Sequence, residues 1–203
     1  SNEKFKFRDS RRMFVGGVPA IINRISFTGE LGYEIYVAPH YQLKLYEELM
    51  EAGKEFNIKP FGGRALMSMR LEKNWGAWTL DYRPDFTAKE TGLDAFINWD
   101  KEFIGKESAQ KENSSNKLVP LIVETNEIDV TNNEAVLNGD QSIGYVTSGG
   151  FAHFVNKSVA FTFVDQKNIK SENKIQVEIN GDLFNCSIIK EPLYDPSGQK
   201  MRS

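Results

Sequence analysis

The stretch that decides the fold is Arg24-Ile-Ser-Phe-Thr-Gly-Glu-Leu-Gly-Tyr-Glu-Ile-Tyr-Val37. Two β-prone flanks, Ala20 to Phe27 and Tyr33 to Val37, enclose a segment containing Gly29 and Gly32. Glycine reaches positive φ and lets backbones approach closely, so the pair predicts a tight reversal between two strands. Side chains alternate along a strand, which sets Glu34 and Tyr36 on one face and Ile35 and Val37 on the other. An ionised carboxylate accepts two parallel hydrogen bonds, so Glu34 suits a ligand with a flat edge of N–H donors. On spacing alone, an ordinary hairpin with a solvated glutamate and a half-buried Phe27 fits the same residues.

Outward from this stretch, residues 5 to 18 read as an extended segment ending at a Gly16-Gly17 turn. Tyr41 to Phe56 places apolar residues at 41, 45, 49 and 52, the spacing of a helix with one buried stripe. Pro60-Phe-Gly-Gly63 is a turn that opens a second helix over Arg64 to Asn74. Trp75, Trp78 and Tyr82 form a cluster that suits either a core or a flat ligand. Asp94 to Trp99 alternates as a strand, and the polar run Gln110 to Lys117 lacks apolar anchors and reads as a linker. Six β-rich runs follow: Leu118–Thr125, Glu134–Leu137, Gln141–Ser148, Lys157–Val164, Lys174–Ile179 and Asp182–Ile189. Turn signals such as Asn138-Gly139-Asp140 and Asn180-Gly181-Asp182 separate them, so a small antiparallel barrel is expected. The fold class is α+β.

A chain of 203 residues can bury a substantial core in one large domain or two small ones. Its 25 basic and 28 acidic residues give no reason to expect nucleic acid or an anionic membrane as a partner. No apolar run approaches the ~20 residues needed to span a bilayer. One cysteine, Cys186, rules out an internal disulfide framework and fits a reducing compartment. It lies in a strand-like run and is read as a packed residue, not a nucleophile. The two histidines, His40 and His153, have no cysteine companions, so a metal site is not expected; His40 is read as a surface residue at a helix start and His153 as structural. No signal peptide opens the chain, and a cytoplasmic location is expected, or the mitochondrial matrix in a eukaryote. Ser1-Asn2 reads as the scar of a removed tag, which predicts a chain cut from something longer.

Phe27-Thr-Gly-Glu-Leu-Gly-Tyr-Glu34 resembles the [YF]-x-G-E-x-G-[FYW]-E motif of the glycine cleavage T-protein (aminomethyltransferase) superfamily. The resemblance implies that Glu34 holds the pterin ring of tetrahydrofolate and that Phe27 lies against it. Tyr36 is expected to add a hydrogen bond from the same strand face. Arg70-Leu-Glu72, Thr87–Leu93, Lys101–Lys106, Ile143–Gly150 and Glu191–Gly198 resemble further segments of the superfamily. Arg70 and Glu72 are read as structural pairing or capping.

One departure stands out. T-proteins carry an A-R-D segment whose arginine helps hold folate, and alignment on Arg70-Leu-Glu72 puts Leu66 at that place. Arg64 is two residues off, about 200° around a helix, and does not take the role. Glu72-Lys-Asn-Trp-Gly-Ala-Trp78 is similar instead to the E-K-x-x-x-x-W segment of dimethylglycine and sarcosine dehydrogenases.

On this resemblance, residues 1–110 are the C-terminal part of the folate-binding domain and residues 117–203 the C-terminal barrel. The function implied is that of a fragment of a one-carbon transfer enzyme. In such an enzyme the carbon released from an N-methylated glycine is captured as 5,10-methylenetetrahydrofolate. The expected partners are folate and a missing N-terminal region of the same polypeptide. No dinucleotide fingerprint is present, so FAD belongs to that upstream region. No residue of this chain is expected to be catalytic, and alone it is expected to be inactive. Two alternatives stay open: a folate-dependent methyl-sulfonium demethylase, and a non-catalytic folate-binding or scaffold relative.

Overall fold

The computed structural model describes residues 2–125, 127–169 and 174–203. Strand β1 (Ser10–Val15) turns at Gly16-Gly17, both at positive φ, into the antiparallel β2 (Val18–Asn23). Strand β3 (Glu34–Tyr36) pairs antiparallel on the other side of β2. The register runs in rows, Ser10–Asn23–Glu34 and Arg12–Ile21–Tyr36. One face of β2 buries Val18, Ala20 and Ile22. The opposite face carries Pro19 and Ile21 beside Phe14 and Tyr36, and it is open to solvent; Phe14 is 72% exposed.

The reversal between β2 and β3 is not tight, which corrects the sequence expectation. Residues 24–33 form a connection without strand pairing, because the chain turns inward at Arg24. The buried Arg24 guanidinium donates to the carbonyls of Phe5 and Ser203, and its own amide bonds Asp9 O at 2.9 Å. A β-rich composition therefore loses to a buried cation that needs carbonyl partners.

A short 3₁₀ turn at Pro39–Tyr41 leads into α1 (Gln42–Ala52), which buries Leu45 but leaves Leu43 and Tyr46 exposed. Helix α2 (Gly63–Glu72) buries its last turn, Arg70, Leu71 and Glu72. Leu71 packs with Ala152, Val159, Phe161 and Ile189 of the following barrel. The expected strand at Asp94–Trp99 is instead a 3₁₀ turn, Asp94–Phe96. Its amides bond locally, Phe96 N to Leu93 O and Ile97 N to Asp94 O, so none is offered to a sheet.

The expected linker is also structured. Gln110 and Lys111 end helix α3 (Lys106–Lys111), and Asn116 and Lys117 open the first barrel strand. Between them Ser114 Oγ donates to Glu90 at 2.5 Å and Thr87 Oγ1 to Glu112 at 2.6 Å. Polar anchors hold this segment where apolar ones were sought.

The barrel strands are β4 (Asn116–Val123), β5 (Ala135–Asn138), β6 (Gln141–Ala152), β7 (Lys157–Asp165), β8 (Ile175–Ile179) and β9 (Asp182–Ile188). They close in the order β4-β7-β6-β5-β8-β9, each neighbour antiparallel. Closure removes the free edges that six short strands would otherwise expose. Leu121, Val123, Val136, Val146, Val177 and Ile179 fill the interior with almost no exposed surface. All six expected strands are present, and the α+β class with a small antiparallel barrel is the observed architecture. Among the described residues no helix is long and apolar enough to cross a membrane.

Candidate functional site

Glu34 opens β3 on the exposed face of the three-stranded sheet. Tyr36, two residues on and therefore on the same face, donates its hydroxyl to Glu34 Oε2 at 2.5 Å. That bond and the repulsion of the carboxylate hold the Tyr36 phenol above its ordinary pKa. Among the described residues no lysine or arginine is paired with Glu34. One carboxylate oxygen is fixed by a neighbour while the other remains an open acceptor. This arrangement fits a planar ligand edge with N–H donors.

Beside the pair, Arg12, Phe14, Pro19, Ile21, Tyr36 and Ala38 line a cavity of about 560 Å³ with a mainly apolar wall. Ser10 Oγ donates to Asn23 Oδ1 at 2.7 Å, so the Ser10–Asn23–Glu34 row is polar next to that apolar strip. Phe27 lies apart from the sheet, half-buried in the 24–33 connection. The structure thus joins Glu34 to Tyr36 directly, whereas Phe27 reaches neither through a hydrogen bond or ring contact.

Between α2 and the barrel lies a buried polar knot. Arg70, 1% exposed, donates to Asp81 Oδ2 at 2.8 Å, to Ser148 Oγ at 2.8 Å and to the Trp75 carbonyl at 3.0 Å. Asp81 is fully buried and accepts further bonds from Ala77 N (2.8 Å), Thr147 Oγ1 (2.5 Å) and Ser148 Oγ (2.7 Å). A register shift in β6 between Val146 and Ser148 inserts Thr147, so two consecutive hydroxyls reach one carboxylate. Burial pulls the Arg70 pKa down, and Asp81 opposes that pull. Glu72 Oε1 accepts from the backbone N of Phe154 at 2.6 Å. Arg70 and Glu72 are therefore structural, as expected, but they are buried and not the exposed pair whose contribution would be small.

Asp81 carries no motif, and sequence reasoning missed it. Its signal was a lone carboxylate inside the aromatic run Trp75–Tyr82. The same run is not wholly core: Trp78 is 76% exposed and touches Tyr82 edge-on at 5.6 Å. Leu66, at the place of the missing arginine, is half-buried on α2, and Arg64, two residues earlier, is exposed. Cys186 is buried in β9, and its thiol is pushed up to about 12 by burial, as befits a packing residue. His153 is exposed and meets Phe151 edge-on at 5.1 Å.

Residues 1–101 match the family described as the GCVT N-terminal domain, and residues 116–195 match the glycine cleavage T-protein C-terminal barrel domain. The chain is 35% identical to the mitochondrial dimethylglycine dehydrogenase of Mus musculus over 198 residues, 95% of this chain and 23% of that protein. It is 33% identical to the aminomethyltransferase of Bacillus mycoides, covering 95% of this chain and 53% of the relative. It therefore spans about a quarter of the dehydrogenases and about half of the aminomethyltransferases that it matches. The crystal structure of glycine cleavage system aminomethyltransferase T from Bartonella henselae superposes with a TM-score of 0.83 at 23% identity, over 97% of this chain and 55% of that one. With a fold and two successive matched regions in common, the chain belongs to the glycine cleavage T-protein (aminomethyltransferase) superfamily.

Proposed function

We propose that this chain is the folate-holding and barrel portion of a tetrahydrofolate-dependent one-carbon transfer enzyme of the dimethylglycine and sarcosine dehydrogenase type. Such an enzyme captures the carbon released from an N-methylated glycine as 5,10-methylenetetrahydrofolate. The observation that carries this reading is Glu34, an exposed carboxylate held at one oxygen by Tyr36 and, among the described residues, paired with no cation. Support comes from the names of the relatives, which are dimethylglycine dehydrogenases and aminomethyltransferases.

Glu34 accepts the N–H donors of the pterin edge, and Tyr36 fixes the rotamer in which it does so. Phe27 would lie against the ring from the 24–33 connection. Bound tetrahydrofolate supplies a nucleophilic nitrogen. The chain's own residues contribute orientation, which on its own lowers a bimolecular barrier substantially. The open apolar face around Ile21 and Phe14 receives polypeptide of the kind that the longer relatives carry, and this completes the cavity wall. FAD, where the enzyme uses it, is bound by that same additional polypeptide.

Calorimetric titration with tetrahydrofolate tests the assignment. Glu34→Ala is expected to weaken binding about tenfold or more, the worth of a hydrogen bond to a charged group, with Tm unchanged. Glu34→Gln, which keeps one acceptor but adds donors facing donors, should fall in the same direction. Equal affinity in all three proteins would remove Glu34 from the site and leave only the architecture.

A further inference from the structure

The connection 24–33, which carries Phe27 and delivers the chain to Glu34, has almost no regular structure of its own. It is nevertheless pinned at three points. At its start, Arg24 is buried and donates to Ser203 O at 2.7 Å as well as to Phe5 O. In its middle, Gly29 at φ +89° lies so close to Lys73 that a Cβ there would meet Lys73 Cδ at 2.5 Å. Next to that, Glu30 Oε1 accepts the hydroxyl of Tyr194.

All three pins converge on one element, the segment 193–203 that follows the barrel. Lys73, 2% exposed, donates to the carbonyls of Tyr194 (3.1 Å) and Asp195 (2.6 Å). Tyr194 N bonds Glu72 O at 3.0 Å, and its ring packs edge-on against Phe154 at 4.7 Å. Asp195 then folds the segment on itself, accepting from Gln199 N and Lys200 N, both at 3.1 Å. The two glutamates of the motif therefore differ in kind: Glu34 faces outward, and Glu30 is tied to Tyr194 at the start of the segment 193–203.

We propose that residues 193–203 form a strap that sets the position of the 24–33 loop, with Tyr194 and Arg24 as positioning residues for Glu34 and Phe27. Its consequence for folate rests on the function proposed above; its consequence for the loop does not. A loop without a ladder has low local stability unless side chains tie it down. The Tyr194–Glu30 bond joins elements 164 residues apart, so its removal frees the loop without touching the barrel core.

Hydrogen exchange on the full chain is the primary test. Tyr194→Phe removes only the hydroxyl, and Glu30→Ala removes only its acceptor. Each is expected to speed amide exchange at residues 29–33 by about tenfold, the worth of one charge-assisted bond, and the double variant should be no faster than either. Glu30→Gln retains a carbonyl oxygen that accepts the same hydroxyl, so it should exchange close to the parent. Barrel amides in β4 and β7 should not change in any of the variants. The same pattern is expected in tetrahydrofolate affinity, with Tyr194→Phe about tenfold weaker. Unchanged loop exchange in Tyr194→Phe overturns the strap, as does a uniform rise that includes the barrel. If Glu34→Ala leaves folate binding intact while the loop loosens as described, the folate reading fails and the strap stands.

Discussion

The barrel and the N-terminal sheet are both antiparallel and both rich in β-branched residues, yet they solve burial in opposite ways. The barrel closes on itself and fills its interior with Leu121, Val146, Val177 and their neighbours. The sheet buries one face and leaves the other, with Phe14, Ile21 and Tyr36, to water. A closed unit needs nothing further to be stable, whereas an open apolar face holds interaction energy in reserve for whatever covers it. The only motif carboxylate left without a cation among the described residues of that sheet, Glu34, sits on the open side. Stability and the proposed ligand chemistry thus fall in different regions, and the Arg70–Asp81 knot ties α2 and the 75–82 segment to β6 of the barrel.

The sharpest way to break this division is to attack the knot. Asp81→Ala leaves the Arg70 guanidinium buried without a counter-charge, and the expected cost is about 3–5 kcal/mol in urea unfolding. The double replacement Arg70→Met with Asp81→Leu should recover only part of that loss, because the unpaired charge is gone but Ala77 N and the Ser148 hydroxyl lose the carboxylate they bond. Because Asp81 binds both α2 and the hydroxyls of β6, the loss should appear as one shifted transition followed by any probe. Two separate transitions, with the barrel midpoint unchanged, would mean that the regions are energetically independent.

A matched pair of truncations measures the difference between the two surfaces. Leu121→Ala in the barrel is expected to cost about 2–5 kcal/mol, since the site is fully packed and collapses only partly. Ile21→Ala on the open face removes a similar side chain and should stay within about 0.5 kcal/mol. A large loss at Ile21 would show that the face is already satisfied within this chain, and the case for additional polypeptide covering it would fall.

How much of this was legible in the sequence follows the same division. The six barrel strands could be read because each alternates and is bounded by turns, so a local pattern and the tertiary result agree. The 20–27 and 33–37 flanks misled, because β propensity ignores Arg24, whose burial depends on carbonyls at both ends of the chain. Asp94–Trp99 alternates too, yet its amides close a local turn. The anchoring of the 110–117 segment was not legible because its anchors, Glu90, Glu112 and Ser114, are polar and only distance shows what they hold. At the site, period-2 alternation placed Glu34 and Tyr36 together on one face. The Tyr194–Glu30 contact and the partners of Asp81 could not be seen, because they lie in segments with no shared local signature.

The smallest effect concerns Cys186, and it separates the regions by chemistry instead of energy. Burial in β9 raises its thiol from an ordinary value of 9.0 to about 12. The thiolate is the reactive form, so alkylation by iodoacetamide at pH 8 should be negligible while the barrel is folded. In a Cys186→Ala background, an Ile21→Cys thiol on the open face should react readily under the same conditions. The sign of the pH effect follows from linkage. A folded-state pKa raised above the unfolded one gives stability that is complete below pH 9 and is lost as pH rises through about 12. The stability difference between the parent and Cys186→Ala should therefore narrow across that window, read from urea midpoints at each pH. If it does not narrow, the thiol is ionising as freely in the folded barrel as in the unfolded chain. The interior of the barrel would then be wet, and the contrast with the sheet would lose its basis.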